Sequence, residues 1–154
     1  MGNWRWVVGF DAVETWEVER GEMALAVAER THEFRLTVPA HALSLGIVRR
    51  AVQGLRDACG DEVTSRLAVI FSELVTNAIR HSGLQESDKV EVLLMVGPEG
   101  IRGHVVDAGR GFDPQTIPER RPLQEGGFGL RIVQELASDW GVEADGRTRV
   151  WFEL

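Results

Sequence analysis

The segment DEVTSRLAVIFSELVTNAIRH constrains the chain more than any other, because Val63, Leu67, Ile70, Leu74 and Ala78 recur every three or four residues between Asp61 and His81. That spacing puts all five on one face of an α-helix of roughly six turns. Such a helix holds in water only when its apolar stripe is covered by another layer. Asp61 is expected to cap its start and Gly83 to stop it.

Strands supply the candidate layer. In EFRLTVP, Phe34, Leu36 and Val38 alternate before Pro39, and the apolar positions Leu43, Ile47, Val48, Val52 and Leu55 then predict a first helix over 40–58. VEVLLMV and IRGHVVD read as two strands joined by a short turn at Gly97, Pro98, Glu99 and Gly100. After an irregular stretch over 109–127 with three prolines and four glycines, a helix is expected from Gly129 to Ser138. RTRVWFEL closes the chain as a strand with Val150 and Phe152 on one side and Trp151 on the other. The order β, α, α, β, β, loop, α, β implies an α+β fold, a two-layer α/β sandwich with helices on one face of a mixed sheet.

With 154 residues and 44% hydrophobic content, the chain can bury one substantial core, so a single domain over 34–154 is expected. Residues 1–33 read differently. Trp4, Trp6, Val8 and Phe10 alternate as in a strand, MALAVAER resembles one or two helical turns, and three of the five tryptophans lie there. This reads as an extension of uncertain structure that packs on the domain or is disordered, with docking to a partner as the alternative.

A formal charge of -7 gives no general attraction to nucleic acid or to an anionic membrane. Cys59 is the only cysteine, which excludes internal disulfides and multi-cysteine zinc sites. His32, His41, His81 and His104 show no paired spacing for zinc. No apolar run approaches the length of a membrane span and the start turns acidic too early for a signal peptide, so a cytoplasmic protein is expected.

Three segments can carry chemistry. In SELVTNAIRHS, Glu73, Asn77 and His81 follow each other at intervals of four and form a polar stripe beside the apolar one. A carboxamide oxygen suits a hard cation such as Mg2+, and a carboxylate one turn away suits proton transfer; a solvated helix face is the alternative. His81 can reach a phosphate or simply serve the helix end. In VVDAGRGF, Asp107 ends an apolar strand and Gly109 and Gly111 allow a sharp turn close to a ligand. A carboxylate there can accept from an exocyclic amine such as that of adenine, although a plain tight turn explains the same letters. In EGGFGLRIV, glycines before an amphipathic helix expose backbone N–H groups to an anion. It is neither a P-loop nor a dinucleotide fingerprint.

SELVTNAIRHS, VVDAGRGFDP and GGFGLRIVQELASDWGVE, closed by RVWFEL, resemble the successive nucleotide boxes of the GHKL ATPase superfamily. More narrowly, the stretch from Phe34 to Leu154 resembles bacterial anti-sigma-factor serine/threonine kinases related to RsbW and SpoIIAB, of the actinobacterial type. The resemblance implies the GHKL (Bergerat) sandwich with a mostly antiparallel sheet. It implies that Glu73 is the general base, that Asn77 holds Mg2+, and that Asp107 reads adenine beside Gly109 and Gly111. It places Gly127, Phe128, Gly129 and Leu130 at the phosphates of ATP, with His81 nearby. It further implies a protein kinase that phosphorylates an anti-anti-sigma (STAS-type) protein and sequesters a sigma factor, with a homodimer possible because several members of the family dimerise. Glu125 and Gly126 depart from the basic or small polar pair common in that family, which implies either weaker phosphate neutralisation or its supply by Arg120 or Arg121, with Arg110 also flanking the loop. A catalytically inactive, nucleotide-responsive binding module and a slow ATP hydrolase are the competing functional classes.

Overall fold

The computed structural model describes residues 32–81, 83–109, 128–144 and 146–154, with backbone alone for His81 and Phe128. The expectations for residues 1–31, for Arg110, Gly111, Arg120, Arg121, Glu125, Gly126 and Gly127, and for the irregular stretch beyond Gly109 lie outside these residues. The elements run β1 (His32–Pro39), α1 (Ser44–Gln53), a single turn α2 (Arg56–Cys59), α3 (Asp61–His81), β2 (Lys89–Gly97), β3 (Gly100–Asp107), α4 (Phe128–Leu136), β4 (Asp139–Ala144) and β5 (Thr148–Glu153). The five strands form one sheet in the order β1-β2-β3-β5-β4. Every neighbouring pair is antiparallel, so among the described residues the sheet is wholly antiparallel rather than mixed.

Local chemistry accounts for the elements and for three departures from the expected ones. The helix expected over 40–58 breaks at Gly54, where the N–H bonds back to Arg50 O and Ala51 O and the chain restarts as α2. Gly60, at φ 79, turns the chain out of α2 and its carbonyl accepts from Thr64 N–H, opening α3. Asp61 therefore starts α3 without the expected cap; its carboxylate pairs instead with Arg56 Nε at 2.8 Å. The α3 boundaries match the periodicity, and Gly83, at φ 67, sits just past its end. The unexpected element is β4, six residues paired to β5 with Trp140 opposite Phe152 and Val142 opposite Val150.

The core fills the space between the helices and one sheet face. Val48 and Val52 of α1, Leu67, Ile70, Phe71, Leu74, Val75 and Ala78 of α3, and Val133 of α4 meet Val90, Val92, Leu94, Val105, Val150 and Phe152 of the sheet. Full burial of each large side chain is worth about 1.5–3 kcal/mol, so α3, which supplies five of them besides Ala78, is the main source of cohesion. Its seat is an edge-to-face contact between Phe71 and Phe152, with ring centroids 5.2 Å apart and planes at 74°. Gly103 makes that contact fit, because a Cβ there would lie 2.4 Å from Phe152 Cζ and 3.0 Å from Phe71 Cζ. Across the helix layer, Arg49 Nε donates to Ser72 Oγ at 2.9 Å and ties α1 to α3.

The other sheet face carries Leu93 and Met95 of β2, Arg102, His104 and Val106 of β3, and Arg149 and Trp151 of β5. Arg102 lies over the Trp151 ring at 4.8 Å and 3.6 Å from Glu153 Oε1. Burial, reinforced by the Arg149, Arg102 and Arg35 guanidinium groups, lowers the His104 pKa to about 4.

Two outcomes follow. Gly103→Ala forces two buried rings apart and is expected to lower unfolding free energy by about 1–3 kcal/mol in denaturant titration. His104 is neutral in the folded chain down to about pH 4 but protonates near pH 6.5 when unfolded. Its contribution is therefore complete above pH 6.5 and is lost as pH falls from 6.5 towards 4, by on the order of 3 kcal/mol. His104→Asn is expected to flatten the stability profile in that window relative to the parent chain.

Candidate functional site

The polar stripe on α3 faces α4. Glu73 and Asn77 are half-buried one turn apart, and the backbone of Gly129, the second residue of α4, closes against both. A Cβ on residue 129 would stand 2.8 Å from Glu73 Oε2 and 3.1 Å from Asn77 Nδ2. Only glycine admits this approach without moving the carboxylate. The structure thus brings together three of the residues singled out in the sequence, two from a helix face and one from the glycine-rich segment some fifty residues later.

The far end of α4 is held by a residue that sequence reasoning passed over. The Arg66 guanidinium donates to the carbonyl of Leu136, the last residue of α4, and Ser138 N–H donates to Glu153 O at 2.9 Å. Arg66 precedes Glu73 by two helical turns and Leu136 follows Gly129 by the same interval, so α3 and α4 lie antiparallel with contacts at both ends. Arg66 lies outside the apolar stripe, and nothing in its local pattern marks it. Leu130 packs at the margin of the core and fixes the rotation of α4 about its axis.

A second cluster forms at the end of the sheet. Asp107 and Thr148 are register partners on the helix-covered face, and both are buried. Asp107 Oδ1 accepts from Gly109 N–H at 2.6 Å, while Thr148 Oγ1 donates to Gly109 O at 3.0 Å. The Gly109 backbone is held on both sides, and the turn after β3 leaves the sheet in one defined direction. Thr148 is the other residue that was missed. Its signal was present, since Thr148, Val150 and Phe152 alternate and a polar residue at an inward position asks for a partner. His81 ends α3; Phe128 begins α4.

The arrangement fits a nucleotide and a hard divalent cation. The first turn of the nine-residue α4 carries no acidic residue and offers backbone N–H groups to an anion. Asn77 presents a carboxamide oxygen beside it, and Asp107 a buried carboxylate with lone pairs for several donors. Among the described residues no group of three His, Cys, Asp or Glu is arranged to hold a metal ion, so a cation here would take most ligands from phosphate oxygens and water. Among those residues, too, no helix is long and apolar enough to cross a membrane.

Gly129→Ala tests the close approach. The intruding Cβ meets the end of a flexible side chain and alanine favours a helix by about 1 kcal/mol, so stability is expected to stay within about 1 kcal/mol of the parent. The displaced carboxylate and amide are expected to weaken ATP binding in calorimetry at least tenfold, about 1.4 kcal/mol. Unchanged affinity would mean that the contact is packing alone.

Comparison with known proteins agrees with this geometry. Residues 38–154 match the family described as histidine kinase-like ATPase domain. The chain is 30% identical over 117 residues to the serine-protein kinase RsbW of Oceanobacillus iheyensis, covering 68% of this chain and 74% of that protein. It is also 30% identical over 125 residues to the RsbW of Bacillus pumilus, covering 71% and 77%. Among solved structures, the RsbU and RsbW domains of Rv1364c from Mycobacterium tuberculosis share the fold, with a TM-score of 0.57 and 20% identity over 79% of this chain and 32% of that one. With its family match spanning most of its length, the α3 and α4 boxes in contact, and an antiparallel sheet beneath them, the chain belongs to the histidine kinase-like, GHKL-type ATPase domain family.

Proposed function

We propose that this chain is an ATP-dependent protein serine/threonine kinase that doubles as an anti-sigma factor, with the nucleotide domain occupying residues 34–154. The substrate would be a serine or threonine hydroxyl of an anti-anti-sigma, STAS-type protein, and the sequestered partner a sigma factor. The observation that carries the reading is the meeting of Glu73, Asn77 and the Gly129 backbone at one point. The RsbW relatives, named as serine-protein kinases, support the choice of acceptor over other chemistry of the same fold.

Each residue has a task that its position favours. Glu73 would orient the incoming hydroxyl and take its proton as the new O–P bond forms and the bond from the terminal phosphorus to the bridging oxygen breaks, with ADP leaving. Asn77 would hold Mg2+ through its amide oxygen, and backbone N–H groups at the start of α4 would stabilise the phosphate charge. Asp107, steadied by the Gly109 turn, accepts from the exocyclic amine of adenine. Bound Mg2+ and ATP supply the transferable phosphoryl group and neutralise its charge. Exposed Leu43 at 78% and Ile47 at 45%, one turn apart around the start of α1, offer an apolar patch to a protein partner.

Calorimetry with ATP, with and without Mg2+, and a phosphotransfer assay with a STAS-type acceptor test the assignment. Asn77→Ala is expected to lose Mg2+-dependent binding at least tenfold. Glu73→Gln is expected to keep binding and slow transfer by about 10²–10⁴-fold. Normal transfer by the Glu73 variant would remove it as the base, and tight ATP binding with no transfer by the parent chain would convert the reading to a nucleotide-responsive binding module.

A further inference from the structure

The short helix α4 is held by two kinds of contact that constrain different motions. Val133 in its middle is fully buried, and Leu130 and Leu136 pack at the margin of the core. Apolar contacts of this kind set the height of a helix above a sheet and resist tilting, but they are non-directional and oppose sliding along the axis only weakly. A directional bond fixes that coordinate. The Arg66 guanidinium supplies one by donating to Leu136 O. That carbonyl has no helical partner, since the N–H four residues on, at Trp140, donates to Asp139 Oδ1 at 2.8 Å. α4 also carries no basic residue in its own last turn, so the cation that the negative end of a helix favours comes from α3.

We propose that Arg66 is a positioning residue for the phosphate end of the nucleotide: by fixing where α4 stops, it fixes where α4 starts, and so holds Gly129 against Glu73 and Asn77. The inference rests on the ATP-binding reading given above. Two matched lengths make the device work. Arg66 and Glu73 are seven residues apart on α3, Gly129 and Leu136 seven apart on α4, and each interval is about 10 Å along its axis. Because the helices are antiparallel, the clamp at one end sets the register of the close approach at the other. Sliding α4 by one residue moves the Gly129 backbone about 1.5 Å relative to Glu73 and Asn77, enough to misalign a phosphate held there. The adenine end is supported separately. Asp107 accepts from Gly109 N–H, and Gly109 O accepts from Thr148 of β5, both bonds lying at the end of the sheet rather than on α4. Loss of the clamp therefore disturbs one end of the nucleotide and spares the other.

The test compares two ligands on the full chain: ATP with Mg2+ by calorimetry, and AMP, which has the adenine but no terminal phosphates, by ligand-observed NMR. Arg66→Met keeps the apolar stem and removes the donors. It is expected to weaken ATP binding by on the order of tenfold, the worth of a charged hydrogen bond, and to leave AMP within about twofold of the parent. Arg66→Lys keeps a charged donor and is expected to recover most of the ATP affinity. Should Arg66→Met not fold, Arg66→Gln, with its shorter side chain, carries the same comparison. In a Gly129→Ala background, where the close approach is already spoiled, Arg66→Met is expected to weaken ATP by no more than about twofold further. Equal losses for both ligands would make Arg66 a support of the whole fold. Unchanged ATP affinity in a folded variant would make the clamp idle, and full additivity with Gly129→Ala would place its effect elsewhere. Each of these three results overturns the proposal and leaves the ATP-binding reading intact, whereas a folded parent chain that binds no ATP overturns that reading and the proposal with it.

Discussion

The edge of one aromatic ring against the face of another, seated on a residue with no side chain, determines where everything else sits. Phe71 and Phe152 meet over Gly103, and their contact sets the height at which α3 rides above the sheet. Glu73 follows Phe71 by two residues and Asn77 by six, so the depth of the polar stripe is a consequence of that contact. The same helix then presents one side to the sheet, one to α1 through Arg49 and Ser72, and one to α4. A single packed contact thus transmits position from the core to the candidate site.

Most of the helical and central strand structure was legible because its apolar residues repeat with a clear period. The α3 boundaries, the alternation in β1 and β5, and the hairpin of β2 and β3 all have one buried face and little ambiguity. β4 was not legible. DWGVEA contributes only Trp140 and Val142 inward, too short an alternation to stand apart from the helix before it, and it is held mainly by its pairing to β5. The break at Gly54 was hidden because the periodic positions continue across it to Leu55, and a glycine in a helix pattern does not by itself predict a turn.

The candidate site residues stand out in the sequence by type and spacing, but their supports do not. Glu73, Asn77, Asp107 and Gly129 are singled out by residue type and spacing alone. Arg66 and Thr148 act by holding backbone carbonyls that are distant in sequence, Leu136 O and Gly109 O, and such pairings exist only once the chain is folded. The Thr148 bond also joins the last strand to the turn after β3, so the chain's end and the candidate adenine corner are one structural unit.

The clamp at the C-terminal end of α4 has a mechanical consequence. With Leu136 gripped by Arg66 and Ser138 tied to β5, α4 is anchored near its end, with Gly129 about 10 Å from the anchor. A tilt of about 6° moves Gly129 by about 1 Å, comparable to the whole margin between contact and separation at Glu73. The spacing of Gly129 from Glu73 and Asn77 is thereby geared to the angle of one short helix, and because Val133 of that helix is fully buried, a tilt of α4 is resisted by the hydrophobic core itself.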